Sequence, residues 1–472
     1  MTESTYSPRL RTGVVLCGSG TAGAYHAGAL RALTEAGIKV DVVAAHGAGV
    51  ITALATAVDG GPKVWDPNGP WTSSRLHHAY RWRPALRFGA LGLMAAGLLT
   101  VSPVLVLVAA AALYAASFVA ALVNLTNVAA MLVATYQRLI ERLFDPPILP
   151  TVLPRAVVLV LVVILIVLAV AAVQAARDEK SRRRWRGAFW WRLFGAPFDA
   201  HEPAKTMVDT LWRLVRGASN EPRPSPEDLG RRYVELLADN FGQPGFHEVI
   251  VAVHDLDSRR DLVGAVLAAP ARAAFEARRH DNDVREAEIV DLTGPQRELL
   301  CGFLDGAMRL PVATAPAIMA FPSDSFWRGE RHRVCDRPEL VTRLIDEMAA
   351  VGVEQIILVS PAPPPALPHT MRARPLDVRA RAGELLRAIE TAGLHDGWAA
   401  ARGRFSGVYM VRPDHNPIGP FDFGKTYDES SDRTRTIPEL MQQGYADAYR
   451  HFIEPVAAAG ERVALEDFSP RS

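Results

Sequence analysis

The chain has 472 residues, 49% of them hydrophobic and 22% charged, with a formal net charge of +1. That length suffices for one large or two ordinary domains with a full core, and so balanced a charge supplies no global field for nucleic acid. Three cysteines, Cys17, Cys301 and Cys335, are too few for a disulfide framework, and their odd count suits a reducing compartment.

Met1 to Arg9 is polar and reads as lacking a signal peptide. Val14 to Cys17 is a short apolar run broken by Gly18-Ser19-Gly20-Thr21-Ala22-Gly23. Ala29, Leu30, Leu33 and Ala36 then recur at helical spacing, and Gly37 stands where a helix commonly ends. Val42 to Ala45 makes a second buried strand, stopped by His46-Gly47-Ala48-Gly49, after which Val50 to Val58 is helical. Two strand-to-helix glycine turns this close together predict a site at the C-terminal ends of parallel strands, facing two helix N-termini.

The spacing Gly18-x-Gly20-x-x-Gly23 also fits a dinucleotide fingerprint, which would make this a nucleotide-binding membrane protein. That reading needs an acid at the end of the second strand to hold a ribose. Ala44, Ala45 and His46 stand there, and Asp41 lies before the strand. The stretch fits another pattern better. It resembles the start of the patatin-like lipid acyl hydrolases, where a GGGxRG-type turn forms the oxyanion hole and a GxSxG elbow follows. Ser19 and Ala22 depart from the first motif. Ala45 to Gly49 falls on the second, with Gly47 in the place of the nucleophilic serine.

From Phe88 to Val123 the chain carries no charge, and Val157 to Ala176 is a second uncharged run. Each exceeds or matches the ~20 residues that a bilayer core requires. Pro103 is expected to divide the first into an interfacial or kinked lead-in and a main span near Val104 to Val123. Arg75, Arg81, Arg83 and Arg87 precede the pair, and Arg177, Lys180 and Arg182 to Arg186 follow it. Between the runs only Arg138, Arg142 and Arg155 stand, with Glu141 and Asp145 among them. The positive-inside rule makes this a two-span hairpin with the globular part on the cytoplasmic side. The basic-aromatic Arg182 to Phe194 reads as an interfacial anchor.

Beyond it, Met207 to Val215 and Leu229 to Leu237 read as amphipathic helices and Val249 to Val253 as a buried strand. Arg272 to Arg279 and Gln296 to Met308 look helical. Leu310 to Pro322 resembles the family segment that leads to its catalytic aspartate, and Asp336 stands where the family has D-G-[GA], its glycines replaced by Arg337 and Pro338. A helix over Glu339 to Ala350, a strand over Gln355 to Ser360, a helix over Val378 to Thr391 and a strand over Gly407 to Val411 continue the match. Asp422 to Ala448 is similar to the family's closing helix.

The resemblance implies an α/β, patatin-like three-layer fold with a mostly parallel central sheet, interrupted by a two-helix transmembrane insertion. Residues 1–70 hold the oxyanion turn and elbow, 71–200 the membrane insertion, with spans near 88–123 and 157–176, and 201–472 the remainder. In that family a serine attacks an ester carbonyl and an aspartate activates it. The dyad positions are Gly47, where the serine is missing, and Asp336; the oxyanion positions are Gly18, Ser19 and Gly20. His46 is the alternative nucleophile, although neighbours at a turn point apart and its ring would have to be re-aimed. Ser19 reads as an added oxyanion donor, Cys17 as a core residue, and Asp59-Gly60-Gly61 as a turn. His77, His78, His254, His280 and His332 show no metal spacing, and neither metal nor cofactor is expected. The sequence thus points to a membrane-anchored protein that binds acyl lipid, or regulates, without serine chemistry. The alternative is an active hydrolase with a non-standard nucleophile. Membrane lipids and an acyl lipid are the expected partners and nucleic acid is not; a homo-oligomer through the hairpin is neither required nor opposed.

Overall fold

A computed structural model describes residues 6–58, 61–66, 69–72, 76, 79–145, 151–178, 195–277, 283–362, 364, 378–414, 419–421 and 436–459. The chain divides into two compact units, one of residues 1–81 and 198–472 and the other of residues 82–197.

The first unit is built on one sheet, of nine strands among the described residues, with the path β5-β4-β3-β2-β1-β8-β9. Its centre is parallel: β1 (Thr12–Leu16) lies between β2 (Val42–Ala45) and β8 (Gln355–Val359), β2 pairs with β3 (Glu248–Asp255), and β8 with β9 (Gly407–Val411). Along β1 and β2 every residue is buried, as the unbroken apolar runs demand of strands covered on both faces. Val14, Leu16, Val43 and Ala45 enter one core and Val15, Cys17, Val42 and Ala44 the other, so helices cover both faces. The first core takes α1 (Ala22–Glu35) and α2 (Gly49–Ala57), and the second takes α12 (Leu340–Ala350). A short α3 (Pro62–Trp65) follows α2.

The amphipathic runs fold as α7 (His201–Arg216) and α8 (Pro226–Asp239), and the apolar run at Val249 as β3. Sequence reading overlooked β4 (Arg260–Val266), antiparallel to β3, and the three-residue β5 (Ile289–Asp291) beside it. Arg259 and Arg260 at the start of β4 hid the hairpin, whose turn is held by Asp255 accepting from the Asp257 N–H at 2.9 Å and the Ser258 hydroxyl at 2.6 Å. Helices α9 (Ala269–Ala277), α10 (Asp283–Glu288) and α11 (Leu300–Ala307) come next. An antiparallel hairpin, β6 (Ala317–Ala320) and β7 (Arg331–Cys335), then attaches to the end of β3, with Cys335 opposite His254. Helix α13 runs ten residues past the expected Thr391, as Val378–Ala401. The closing helix α14 (Ile437–Ala448) starts with a Thr436–Glu439 capping box and packs against α1. Backbones meet there: a Cβ on Gly28 would lie 1.8 Å from the Met441 carbonyl oxygen, and one on Gly444 2.1 Å from that of Tyr25.

The second unit holds α4 (Pro84–Leu122), α5 (Thr126–Leu143) and α6 (Leu153–Asp178). Two of these are long and apolar enough to cross a membrane, over Pro84–Leu122 and Leu153–Gln174. Only 11% and 6% of their most apolar stretches is buried, whereas a soluble core helix would be mostly buried. Three expectations need correction. Pro103 does not divide the first run, because α4 passes straight through it. Proline removes the N–H owed to the carbonyl four residues back, and the Ser102 hydroxyl donates to that same carbonyl, Leu99 O, at 2.7 Å. Nor does the half beyond Pro103 pair with the second apolar helix. It is the earlier half that does, since a Cβ on Gly92 would lie 2.7 Å from Ile164 and one on Gly89 3.8 Å from Leu168. The later half lies against α5, an amphipathic helix where the sequence pattern predicts a loop; Tyr114 and Tyr136 meet there at 5.7 Å. The basic-aromatic anchor, Arg182 to Phe194, lies outside the described residues.

Candidate functional site

The two glycine turns and Asp336 converge. Strand β1 ends at Leu16 and opens into α1 through a turn in which Gly18 and Gly20 have φ of 129° and 62°. Strand β2 opens into α2 through Gly47, with φ 55°. The Ala48 N–H donates to Gly18 O at 3.0 Å, tying the turns together. Strand β7, running against β3, delivers Asp336 beside both, and its N–H donates to Arg309 O at 2.8 Å.

Asp336 is fully buried and accepts two hydrogen bonds. The Ser19 hydroxyl donates to Oδ2 at 2.5 Å, and His46 Nδ1 lies 3.0 Å from Oδ1. The expectation that His46 would point away is therefore wrong: its ring lies in the site beside the acid. Ser19 also differs from expectation, since its hydroxyl is committed to Asp336 rather than aimed at an oxyanion. No backbone hydrogen bond engages the N–H groups of Gly18, Ser19 and Gly20 among the described residues, which leaves three donors on one turn.

The space beside Gly47 is filled. A Cβ built on Gly47 would lie 2.6 Å from Asp336 Oδ2 and 2.6 Å from Gly18 O. The carboxylate has closed over the position a nucleophile would need. The other face of the glycine turn is filled too, because a Cβ on Gly20 would lie 1.9 Å from Pro420 O and the Thr21 hydroxyl donates to Gly419 O. A nucleotide pyrophosphate would need that same space. Next to Asp336, Arg337 forms an ion pair with Asp261 at 3.1 Å.

Sequence reading missed Glu390. It sits on α13, is 4% exposed, and a Cβ on Gly18 would lie 2.9 Å from its Oε1. The Ser360 hydroxyl approaches it at 3.5 Å. Burial, with the Asp336 charge adding to it, raises the Glu390 carboxyl to about 7. No motif pointed to it, because an acid in a helix of ordinary composition carries no local signal. Burial would lower the His46 imidazole, but the Asp336 charge and hydrogen bond outweigh it and the net direction is upward. His26, also buried, is pushed down to about 3 by burial. It stays neutral, with Nε2 2.8 Å from Cys17 O. Burial, followed by the charges of Glu390 and Asp336, also pushes the Cys17 thiol up, so no thiolate nucleophile stands here. His254 and His332 lie apart from this cluster, beside Asp261 and Asp255 at 2.7 Å and 2.5 Å. His77, His78 and His280 lie outside the described residues, as does Asp59-Gly60.

Chemically, the carboxylate is the hub, with a hydroxyl on one oxygen and an imidazole on the other. This is not the serine–histidine–acid order, in which the imidazole stands between hydroxyl and acid. Glu390→Gln tests the electrostatics. A carboxyl whose folded pKa is raised binds a proton the unfolded chain has released, so stability falls as pH rises from about 4.5 to about 7. The amide removes that penalty. Unfolding of the Gln variant at pH 8 is expected to require on the order of 3 kcal/mol more than wild type, with little difference at pH 4.5.

No family model matches the sequence, and no curated protein matches it. Among solved structures the chain is similar to VipD from Legionella pneumophila, at 11% identity and a TM-score of 0.32, over 96% of this chain and 67% of that one. A similarity of that size carries no chemical inference.

Proposed function

We propose that the chain is a membrane-anchored, patatin-like protein that has lost serine hydrolysis and serves to bind acyl lipid or to regulate at a membrane. One observation carries the reading: Asp336 occupies the space beside Gly47 and has both oxygens engaged, one by Ser19 and one by His46. The resemblance of both glycine turns to the oxyanion and elbow motifs supports the family. Three unengaged backbone N–H groups at the turn support binding of a carbonyl or anionic group. The two long, exposed apolar helices support membrane insertion of the second unit. Purified full-length protein is expected to hydrolyse neither phospholipid nor p-nitrophenyl ester and to resist labelling by a fluorophosphonate. Robust turnover abolished by Asp336→Asn would overturn it.

One distance favours a second reading. Ser19 Oγ stands 2.5 Å from Asp336 Oδ2, a serine–aspartate contact of the kind a dyad hydrolase uses, relocated to the oxyanion turn. Against it, Ser19 is 4% exposed, and attack from within the turn would draw on the same backbone that must hold the oxyanion. Fluorophosphonate labelling lost in Ser19→Ala would decide for this reading.

A further inference from the structure

The turn at Pro311–Ala313 combines two unfavourable features. The Ala313 N–H donates to Pro311 O at 2.7 Å and Val312 has φ 64°, a γ-turn of the strained hand. The central residue is β-branched, for which a positive φ is a strained conformation. The strain holds the Val312 side chain outward, 91% exposed, where it forgoes the stabilisation that burial of an apolar side chain provides. Glycine or asparagine would make this turn more cheaply in water.

The position of the turn accounts for a valine there. The chain leaves the first unit at Arg81 and returns at Phe198. These crossings are side by side, since the Asp199 N–H donates to Arg81 O at 2.9 Å. The turn is fastened to them: the Phe198 N–H donates to Ala313 O at 3.0 Å, and Phe198 bridges to Thr314. Arg81 precedes the start of α4 at Pro84 by three residues, a reach of at most about 11 Å. If α4 crosses a bilayer, the neck lies within or beside the headgroup layer, roughly 5–8 Å deep on each face. The sequence at the neck, Tyr80-Arg81-Trp82-Arg83, is an interfacial one. Tyr80 also holds a positive φ, 52°, and its hydroxyl donates to Met308 O at 2.8 Å.

We infer that Val312 is a membrane-contact point, set by the Pro311–Ala313 turn into the interfacial layer of the bilayer that α4 and α6 enter. The inference rests on the membrane reading above and adds that a fixed face of the first unit meets the lipid. The consequence reaches the candidate site, because Arg309, three residues before Val312, accepts from the Asp336 N–H. Phe421, next to the Pro420 that covers Gly20, lies 5.9 Å from Tyr80 and 5.2 Å from Phe198. The neck and the covered glycine turn thus share one packed aromatic cluster.

The test attaches an environment-sensitive NBD label to single introduced cysteines in the full chain, reconstituted into phosphatidylcholine vesicles containing phosphatidylglycerol. The native Cys17, Cys301 and Cys335 are buried and do not compete. Val312→Cys is the probe, Leu98→Cys on α4 marks the bilayer, and Leu385→Cys on α13 marks water; these side chains are 91%, 62% and 60% exposed, so labels disturb no packing. Val312 is expected to give blue-shifted emission, loss of intensity with lipids nitroxide-labelled near the headgroup, and protection from aqueous iodide, while Leu385 shows none of these. A Val312 label that behaves like Leu385, with Leu98 still quenched by lipid nitroxides, overturns the inference and leaves the membrane reading standing. A blue-shifted Val312 label that no lipid nitroxide quenches also overturns it, in favour of a protein partner. Failure of lipid nitroxides to quench Leu98 removes the membrane reading, and this inference with it.

Discussion

Gly47→Ser, which would complete the GxSxG pattern that residues 45–49 resemble, is expected to yield a destabilised protein with no gain of esterase activity. The sequence presents this substitution as a repair; the site geometry does not. The new Cβ would meet Asp336 Oδ2 at 2.6 Å and Gly18 O at 2.6 Å, well inside van der Waals contact. Gly18 O cannot retreat easily, because it accepts the Ala48 N–H that joins the two turns. Asp336 could retreat only by surrendering Ser19 or His46, both buried. Overpacking of a tight core costs about 1–3 kcal/mol, and a non-glycine residue at φ 55° adds about 1 kcal/mol or more. A loss of roughly 3 kcal/mol in urea unfolding, followed by tryptophan fluorescence in mild detergent, is the expected result. The companion Ser19→Ala/Gly47→Ser double variant frees one oxygen of Asp336 and should recover part of that loss, because the two sites share a partner. Activity in either variant would show that the acid can still serve residue 47.

Much of the sheet was legible because its strands are buried on both faces. Val14 to Leu16, Val42 to Ala45 and Val249 to Val253 are unbroken apolar runs that end at glycine or aspartate, and each became a strand where the run lies. The β3–β4 hairpin was not legible, since β4 begins with the charged pair Arg260-Asp261 and its turn depends on Asp255 capping backbone and hydroxyl donors. In the second unit, composition marked the long helices but not their pairing. Whether Pro103 breaks α4 depends on a single hydroxyl, that of Ser102, which supplies the donor the proline lacks. At the candidate site, the chain order of Ser19, His46 and Asp336 was visible, whereas the direction of the His46 ring was not. A turn residue's side chain is aimed by backbone dihedrals, and those at residues 46–48 follow from glycine at 47 and the tie between Ala48 and Gly18. Glu390 was invisible for a different reason: its significance comes from burial against residues distant in sequence, Gly18 and Ser360 among them, which no local pattern encodes.

Asp336→Ala is expected to cost about 3–5 kcal/mol of stability, the range measured when one partner of a buried ion pair is removed. It leaves the Ser19 hydroxyl and His46 Nδ1 without their acceptor in a region where neither reaches water. The pH dependence separates this from a loss of packing volume. In the wild type the His46 pKa is raised, so its stabilisation is fully present below the unfolded value near 6.5 and is lost as pH rises through the folded value. Glu390 slopes the same way between about 4.5 and 7, so the measurement is made in the Glu390→Gln background. His332 is raised and His247 lowered as well, so the His46 contribution is read as the difference in slope between the Glu390→Gln parent and the Asp336→Ala/Glu390→Gln double variant. Removing Asp336 leaves burial as the main influence on the imidazole, and burial disfavours the charged form. The unfolded chain then binds that proton more tightly than the folded one, and the His46 contribution reverses: relative to the parent, the slope of stability against pH should turn more positive across 5.5 to 7.5. A parallel downward shift with the slope unchanged would mean that Asp336 acts only as filler. The reversal would mean that Asp336 holds a buried imidazolium in place.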